Sequence, residues 1–474
     1  MLFSSFEYLL GFLPLVVLVC IAVRRRLGPK AAQLVIFVAS IIFYGWWKPS
    51  NLPLLAGSIL VNWLLARWLS SAKLPARKRI LLLGLVLNIG YLCLFKYVNF
   101  FLSVLHLGIG PNFYLPDLEF PLGISFFTLS QVMYLVDCYE GLLPAVGLFD
   151  YSTFVSFFPY VISGPIPKAK RILHQFDNFG GNPEETSALL TRGLYLFTIG
   201  LFKKAFFASV FGDIANAGFK GTGYMPAAEA WGFSFAYVLQ IYFDFSGYSD
   251  MAIGSALMLG IEIPRNFDAP LRSKSVIEFW QRWHISLSNF ITTYLYTPFL
   301  KALPKVTLFY SALATLFAMT IAGLWHGPNW TFILFGVIHG LALGINQYWR
   351  KKKVLKLPLF ISWICTFFVI TIGMIFFRAR DLTFASHMIL SLFSPHHAIE
   401  STNLLDTIHH MSLVKTAMIL PLGVIVAFFG KSSDEMSREF TPTSLNAVAV
   451  ATMLIACLFF LTFNTSQDFL YFKF

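Results

Sequence analysis

Charged residues are scarce in this sequence. Asp, Glu, Lys and Arg supply 12% of its 474 residues, against about 25% in an ordinary soluble domain. A water-soluble fold would lack the polar side chains that cover a surface, so the composition excludes that class. Apolar residues dominate instead: 57% of the chain is hydrophobic, Phe occurs 52 times, and the mean hydropathy is +0.69. The sequence predicts an integral membrane protein surrounded by the lipid bilayer.

Cysteine is also sparse. The five Cys residues are scattered and form no CxxC or Cys/His ligand spacing, so we interpret them as small core residues and predict no metal site. The formal net charge is +12, but the basic residues lie between apolar runs, which favours membrane topology over nucleic-acid binding. No long linker or internal repeat divides the chain, so we predict a single membrane domain over residues 1–474.

Long apolar runs recur along the whole chain. A helix needs roughly 20 residues to cross a hydrocarbon core about 30 Å thick. The fold class is therefore predicted to be all-α and polytopic, with about eleven or twelve transmembrane helices. The candidate spans are residues 6–23, 31–47, 52–69, 80–101, 121–139, 188–210, 230–245, 308–324, 331–348, 357–377, 414–429 and 447–462.

Loop charges predict an orientation. Residues 24–30 carry three Arg and one Lys, and a second basic loop at 67–79 follows the third span. The loops that alternate with them carry only Lys48 or, at 103–119, no basic residue. Because Lys and Arg favour the cytoplasmic side, the N-terminus is predicted to lie outside.

Two regions do not fit plain spans. Residues 154–165 (FVSFFPYVISGP) are apolar but short and interrupted by Pro and Gly, which predicts a re-entrant segment shielded from lipid. Residues 264–298 mix charged and aromatic side chains. They predict an amphipathic, partly re-entrant segment.

His326 is the most conspicuous candidate for chemistry. It lies in TIAGLWHGPNWTF (320–332), where one apolar helix ends and another begins. Ionisable groups within apolar spans are functional candidates, and a neutral imidazole can take a proton from a hydroxyl nucleophile. Trp325 and Trp330 would form apolar walls, and Asn329 or backbone N–H groups would stabilise an oxyanion. The alternative is a structural histidine bonded to a neighbouring helix.

Two further histidines have an aromatic setting. His284 follows Trp283 in FWQRWHISLS (279–288), a position that suits the arrival of a charged donor substrate or, alternatively, a snorkelling aromatic-basic belt. His339 lies in the span after His326 and is interpreted as a structural or supporting residue.

Two acidic residues lie among aromatic and small side chains. Asp244 and Asp250 are six positions apart in IYFDFSGYSDMAIG (241–254). They are candidates for orienting a cation or a catalytic histidine. Alternatively, they cap a helix break at Gly247.

Eight motifs are spread over nearly the whole chain: PLGISFFTLSQVMYLVD (121–137), FFPYVISGPI (157–166), GLFKK (200–204), YFDFSGYSDMAIG (242–254), NFDAPL (266–271), FWQRWHISLS (279–288), GLWHG (323–327) and FLYFKF (469–474). In this order they resemble the membrane-bound O-acyltransferase (MBOAT) family, and within it the bacterial alginate O-acetyltransferase type. Any one motif alone would be weak, whereas the ordered set is specific.

The resemblance implies an acyltransferase of the bacterial inner membrane, in which the outward N-terminus predicted from the loop charges would be periplasmic. His326 corresponds to the family's essential histidine, the general base, and His284 to its supporting histidine. A cytoplasmic thioester, either acetyl-CoA or an acylated carrier protein, is implied as donor substrate, with no bound cofactor. A periplasmic or membrane-anchored acetyltransferase partner is implied to complete O-acetylation of a cell-envelope polysaccharide or exopolysaccharide.

The C-terminal motif carries a further implication. In the related teichoic-acid D-alanylation system, a small partner ends in a tyrosine motif similar to residues 469–472 and is implicated in carrying the acyl group. Tyr471 is therefore implied as an acyl relay fused to the enzyme. An aromatic membrane anchor is the alternative interpretation.

The sequence departs from many alginate-type relatives at four positions. Tyr160 and Ser163 stand in place of Gln and Ala, and Thr292 and Thr293 in place of an Arg-Asp pair. Alginate, cellulose and peptidoglycan therefore stay open as acceptor polymers. The competing functions are a transporter, disfavoured because no paired inverted repeats are seen, and an export scaffold without chemistry.

Overall fold

The computed structural model describes residues 1–73, 75–105, 121–177, 183–353, 355–394, 404–412, 414–463 and 470. Within these ranges the secondary structure is helical and includes no β-strand. The prediction of an all-α fold is therefore confirmed.

The α-helices of the described ranges are labelled α1 to α22 in chain order. They are Leu13–Leu27, Pro29–Gly45, Leu52–Ser71, Ala76–Leu92, Val98–Leu105, Ile124–Tyr139, Leu148–Ser156, Ala169–Asp177, Pro183–Phe202, Ser209–Gly218, Ala227–Met258, Val276–Arg282, Ile285–Phe290, Thr297–Ala302, Leu308–His326, Trp330–Lys352, Leu359–Arg378, Leu382–Phe393, Leu404–His409, Leu420–Phe429, Ser433–Glu439 and Ser444–Phe463. Short π-helical segments cover Glu7–Phe12, Cys93–Tyr97, Lys203–Ala208, Ile291–Tyr296 and Lys415–Ile419, and short 3₁₀ turns cover Pro49–Asn51 and Pro270–Arg272.

Eight helical stretches of the described chain are long and apolar enough to cross a membrane. They are Glu7–Leu27, Pro49–Ser71, Ala76–Val104, Glu184–Gly218, Leu308–His326, Trp330–Lys352, Leu359–Arg378 and Ser444–Thr462. A ninth candidate pairs Lys415–Phe429 with Ser433–Glu439 across a bend of 83°. The polytopic character is therefore confirmed.

The four other predicted spans explain why the number is smaller than eleven or twelve. Helices α2 and α6 have only 17 and 16 residues. Helix α11 has 32 residues but carries Glu229, Asp244 and Asp250. The run at residues 414–429 belongs to the bent pair. Their length separates α2 and α6 from full-length apolar spans, whereas α11 is long enough to cross but is not among the apolar stretches.

Contacts between residues divide the chain into two compact units. The first contains residues 1–197 and 251–264, and the second contains residues 198–250 and 265–474. The prediction of one membrane domain over residues 1–474 stays a prediction.

In the first unit, residues 154–165 are buried throughout. The Phe158 ring lies 5.2 Å from Phe12 and 5.4 Å from Phe43, measured between ring centroids. The Phe158 N–H donates to the Ser40 hydroxyl at 3.1 Å. Protein therefore shields this irregular backbone, as a segment at membrane depth requires.

The predicted amphipathic segment, of which residues 265–298 lie in the second unit, forms no single long helix. Short helices α12 and α13, the π-helical turn Ile291–Tyr296 and the start of α14 follow one another. The longer helices α15 and α16 come next and are separated by only three residues, 327–329. The candidate histidines lie in these elements.

Candidate active site

His326 is the last residue of α15, and the sequence after it stops the helix. Pro328 has no backbone N–H to donate, and the Asn329 side chain caps the next helix by accepting from the Thr331 N–H at 3.0 Å. Gly323 and Gly336 lie so close to the opposing backbone that a Cβ on either would collide with it. This close crossing of α15 and α16 fixes the helix end that carries His326.

Aromatic rings surround His326, which is 5% exposed. Its ring centroid lies 5.0 Å from Trp325, 5.0 Å from Phe377 and 5.9 Å from Phe335. The imidazole is thus set in an apolar enclosure that limits the access of water.

Trp325 also brings His284 into the same cluster. The Trp325 and His284 ring centroids are 6.4 Å apart, and the His284 and Phe245 ring centroids are 4.7 Å apart in a T-shaped contact. The two histidines that the sequence analysis singled out therefore share one tryptophan. Burial lowers the pKa of His284 to about 3, so this side chain is neutral near pH 7.

The backbone of His284 is in the left-handed region, with φ 44° and ψ 53°. A residue with a Cβ seldom adopts this conformation, which costs on the order of 1–3 kcal/mol and clusters at functional sites. The surrounding structure must hold it in place.

Asn266 supplies that support. Its backbone carbonyl accepts from the Ile285 N–H at 2.9 Å, and its side-chain oxygen accepts from the Ser286 N–H at 3.2 Å and the Ser286 hydroxyl at 2.6 Å. On the other side, the Asp268 N–H donates to the Arg282 carbonyl at 3.0 Å. The sequence analysis noted NFDAPL as a motif but gave Asn266 no role, because contacts 19 and 20 positions apart leave no local pattern.

Replacing Asn266 with Ala tests this support. The Ser286 N–H and hydroxyl would lose a buried acceptor, and we expect a loss of stability of about 1–3 kcal/mol together with reduced transfer activity. Thermal unfolding in detergent and an activity assay would measure both. Asn446→Ala is the matched control, because its side chain bonds the Thr441 carbonyl at the surface. Equal stability of the two variants would contradict the role of Asn266.

His339 belongs to the same aromatic cluster. Its Nδ1 accepts from the Trp280 indole N–H at 3.3 Å, and Phe335 lies 4.7 Å from its ring. A Cβ at Gly373 would collide with the imidazole, so that position must be Gly to leave room for the ring. The interpretation as a structural or supporting histidine agrees with this packing.

The other predicted lining residues differ in burial. Trp283 is buried and stacks on Phe279 at 5.4 Å. Trp330 is 50% exposed, so it encloses the site less than Trp325 does. Asn329 uses its oxygen for the helix cap and its amide N–H to donate to the Arg380 carbonyl at 3.0 Å, so both groups are engaged in structure.

Asp244 and Asp250 pair with lysines of the GLFKK motif. Lys204 Nζ lies 2.5 Å from Asp244 Oδ1, and Lys203 Nζ lies 2.8 Å from Asp250 Oδ2. Lys203 also donates to the Ser433 hydroxyl at 2.5 Å. The cations oriented by these carboxylates are therefore protein ammonium groups, which the sequence analysis did not identify as partners. No three His, Cys, Asp or Glu side chains of the described residues converge as metal ligands.

Helix α11 runs without interruption through Gly247. The alternative that Asp244 and Asp250 cap a helix break there is wrong. A Cβ at Gly247 would meet the Gly200 carbonyl oxygen at 2.7 Å, so the glycine serves close helix packing. This approach brings the two lysines within reach of the two aspartates.

Tyr471 lies outside the described residues, whereas Leu470 lies within them. Leu470 is buried, and its backbone N–H donates to Asp244 Oδ2 at 3.0 Å. Leu470, which precedes the tyrosine in the sequence, is thus bonded to α11.

Comparison with known proteins identifies the family. The profile described as "MBOAT, membrane-bound O-acyltransferase family" matches residues 74–385. The chain is 33% identical to the peptidoglycan O-acetyltransferase of Helicobacter pylori, over 100% of this chain and 98% of that protein. It is 36% identical to the probable alginate O-acetylase AlgI of Pseudomonas aeruginosa, over 83% and 75% of the two chains.

A more distant relative is the teichoic acid D-alanyltransferase of Streptococcus thermophilus, 30% identical over 49% of this chain and 58% of that protein. The buried histidine at the end of α15, the polytopic helical fold and these similarities agree with the resemblance seen in the sequence motifs. This chain belongs to the membrane-bound O-acyltransferase family and is an acyltransferase.

Proposed function

We propose that this protein moves an acetyl group from a cytoplasmic thioester across the bacterial inner membrane for O-acetylation of a cell-envelope polysaccharide. The observation that carries the proposal is the placement of His326, buried at a helix break and sharing Trp325 with His284. The names of the relatives support acetyl transfer. Peptidoglycan is the proposed polymer, because the similarity to the peptidoglycan O-acetyltransferase extends over all of this chain.

The chemistry follows from the His326 imidazole in an apolar enclosure. His326 takes the proton of an acceptor hydroxyl, and that oxygen attacks the thioester carbonyl carbon. The C–S bond then breaks, and the leaving thiolate receives the proton from the imidazolium. The rings of Trp325, Phe335 and Phe377 hold water away from the thioester, which limits its hydrolysis.

The direction of transfer rests on loop charge. The basic loops at residues 24–30 and 67–79 support a periplasmic N-terminus, because Lys and Arg favour the cytoplasmic side. The donor, acetyl-CoA or an acylated carrier protein, is drawn from the cytoplasm. A periplasmic or membrane-anchored acetyltransferase partner completes transfer to the polymer.

Tyr471 is the proposed relay between donor and partner. With Tyr471 as the acceptor, His326 takes the phenolic proton, the phenolic oxygen attacks the thioester carbonyl, and the thiol leaves with that proton to give an acetyl ester. A hydroxyl of the partner or the polymer then attacks this ester, and the phenol is released with the hydroxyl proton. The hydrogen bond from the Leu470 N–H to Asp244 supports this role. Asp244 directly precedes Phe245 on α11. Phe245 in turn contacts His284.

Acetyl transfer by purified protein tests the proposal. The protein, reconstituted in nanodiscs, would be given radiolabelled acetyl-CoA or acetylated carrier protein, with the polymer partner and peptidoglycan or alginate fragments. We expect thiol release coupled to acetylation of the acceptor, with the preferred fragment identifying the polymer. Absence of covalent transfer with every donor, in protein that remains folded, would instead favour a transporter or an export scaffold.

A further inference from the structure

A cavity of about 530 Å³ opens in the first unit, where α1, α8 and α9 come together. Ligand sites in proteins measure about 300–1,000 Å³, so this volume is sufficient for a small polar group. Six of the lining side chains are charged or titratable: Arg24, Lys170, Arg171, His174, Glu185 and Glu262. The cavity lies apart from the histidine cluster, whose residues belong to the second unit.

The cavity lies at the level where apolar spans end. Arg24 is in the last turn of α1, close to the end of the span Glu7–Leu27. Thr186 is close to the start of the span Glu184–Gly218. Arg24 Nη2 donates to the Thr186 hydroxyl at 2.6 Å, so these two span ends meet at the cavity. Because the end of an apolar span marks the boundary of the hydrocarbon core, the cavity is at the depth of lipid headgroups.

Helix α8 supplies a basic wall. Its Ile172, Leu173 and Phe176 side chains are buried, whereas Lys170 and Arg171 are exposed. The buried apolar face fixes the helix against the protein and leaves its basic face at the cavity. Lys170 Nζ makes no hydrogen bond or ion pair within the described ranges of the chain. An ammonium group is therefore available to a ligand.

Glu262 forms the wall opposite Lys170 and is firmly held. Gln175 Nε2 donates to the Glu262 carbonyl at 2.9 Å, and Gln175 Oε1 accepts from the Glu262 N–H at 2.7 Å. The Glu262 carboxylate pairs with Arg171 at 3.4 Å and with Arg192 at 3.3 Å, so two guanidinium groups compensate its charge. The lining has three Lys or Arg side chains and two carboxylates, and Arg192 adds a further cation beside Glu262. Positive charge is therefore in excess.

We propose that this cavity binds the phosphate group of an anionic phospholipid headgroup. Guanidinium and ammonium groups bind phosphate through charge-assisted hydrogen bonds, and basic pockets between transmembrane helices on the cytoplasmic side bind anionic headgroups. The orientation predicted from the loop charges places Arg24 at the cytoplasmic leaflet. A lipid bound here links the ends of α1, α8 and α9 to the membrane surface, whatever reaction the protein catalyses.

Neighbouring basic residues provide matched controls. Lys170 lines the cavity, whereas Lys168, which is also exposed, does not. Arg24 lines the cavity, whereas the adjacent exposed Arg25 does not. Lys170→Gln removes a charge without breaking a bond within the described residues, so this variant should fold normally. The double variants Arg24→Gln/Lys170→Gln and Arg25→Gln/Lys168→Gln change the net charge equally.

Native mass spectrometry of the whole chain in detergent, titrated with dioctanoyl-phosphatidylglycerol, measures lipid binding. Each cation lost from the cavity is expected to weaken the affinity about fivefold. Arg24→Gln/Lys170→Gln should therefore bind about 25-fold more weakly than the wild type, and Arg25→Gln/Lys168→Gln should stay within about twofold of it. Dioctanoyl-phosphatidylcholine, which has a phosphate but no net charge, should bind the wild type at least about 10-fold more weakly.

Equal weakening by the two double variants would mean that the lipid responds to surface charge in general, and it would overturn the proposal. Unchanged affinity in both Lys170→Gln and Arg24→Gln/Lys170→Gln would do the same. Inorganic phosphate and acetyl-CoA are the soluble competitors. If either displaces the lipid at an equal or lower concentration, the cavity binds a soluble phosphate and the lipid assignment is wrong. These measurements involve no acetyl transfer, so they remain decisive if the proposed function fails.

Discussion

His326→Ala is expected to reduce acetyl transfer by about 10²- to 10⁴-fold, the range contributed by a positioned general base. Without the imidazole, the acceptor hydroxyl must attack while still protonated, because the neighbouring rings of Trp325, Phe335 and Phe377 offer no group that accepts its proton. Transfer of label from acetyl-CoA by protein reconstituted in nanodiscs would measure the effect. The variant should still fractionate with the membrane, because α15 keeps its apolar length.

His387→Ala provides the matched histidine control for this experiment. His387 is half-buried, stacks on Tyr224 at 3.8 Å and bonds the Thr222 carbonyl at 3.1 Å. It is outside the aromatic cluster around His326, so activity should stay within about twofold of the wild type. Near-normal acetylation by His326→Ala, in protein folded as well as this control, would refute the assignment of the base.

Tyr471→Phe is expected to lower polymer acetylation at least about 100-fold, an effect comparable to loss of a catalytic nucleophile. The change removes one hydroxyl oxygen and keeps the aromatic ring. If Tyr471 carries the acetyl group, an acetyl ester on the C-terminal peptide should be detected by mass spectrometry in the wild type after addition of donor without acceptor. The same peptide from Tyr471→Phe should be unmodified.

The alternative role of Tyr471 as an aromatic membrane anchor makes the opposite prediction. An anchor depends on the ring, so Tyr471→Phe would then acetylate polymer normally. Tyr348→Phe is the matched control for loss of an exposed phenol, because Tyr348 lies near the end of α16 with 53% of its surface exposed. Normal polymer acetylation by Tyr471→Phe would exclude the relay.

Sequence reasoning located most elements of this fold because lipid imposes a simple length rule. Apolar runs of sufficient length correspond to eight long helices in the described chain. Two apolar runs form helices shorter than a full crossing, as in α2, and the run at residues 414–429 is followed by a bend of 83°. The hydropathy of a run shows that it is apolar, but it does not show where the helix bends or where it ends.

The site was predictable where its signal is local and hidden where it is not. His326 was identified because Gly, Pro and Asn follow it within three positions and end the helix. The pairing of Lys203 with Asp250 joins residues 47 positions apart, and only packed helices bring them together. Gly247 suggested a helix break because glycine disfavours helices, yet the close approach of Gly200 explains its presence better.

The two buried ion pairs also constrain how the chain enters the bilayer during synthesis. A lone Asp or Lys at the centre of an inserting helix costs about 2.5–3.5 kcal/mol. Helix α11 carries Asp244 and Asp250. The stretch Glu184–Gly218 carries Lys203 and Lys204. Inserted separately, each stretch would present two uncompensated charges to lipid. Inserted together, their charges cancel through the contacts seen in the folded protein. Insertion of the two stretches as a pair therefore costs less free energy than their separate insertion.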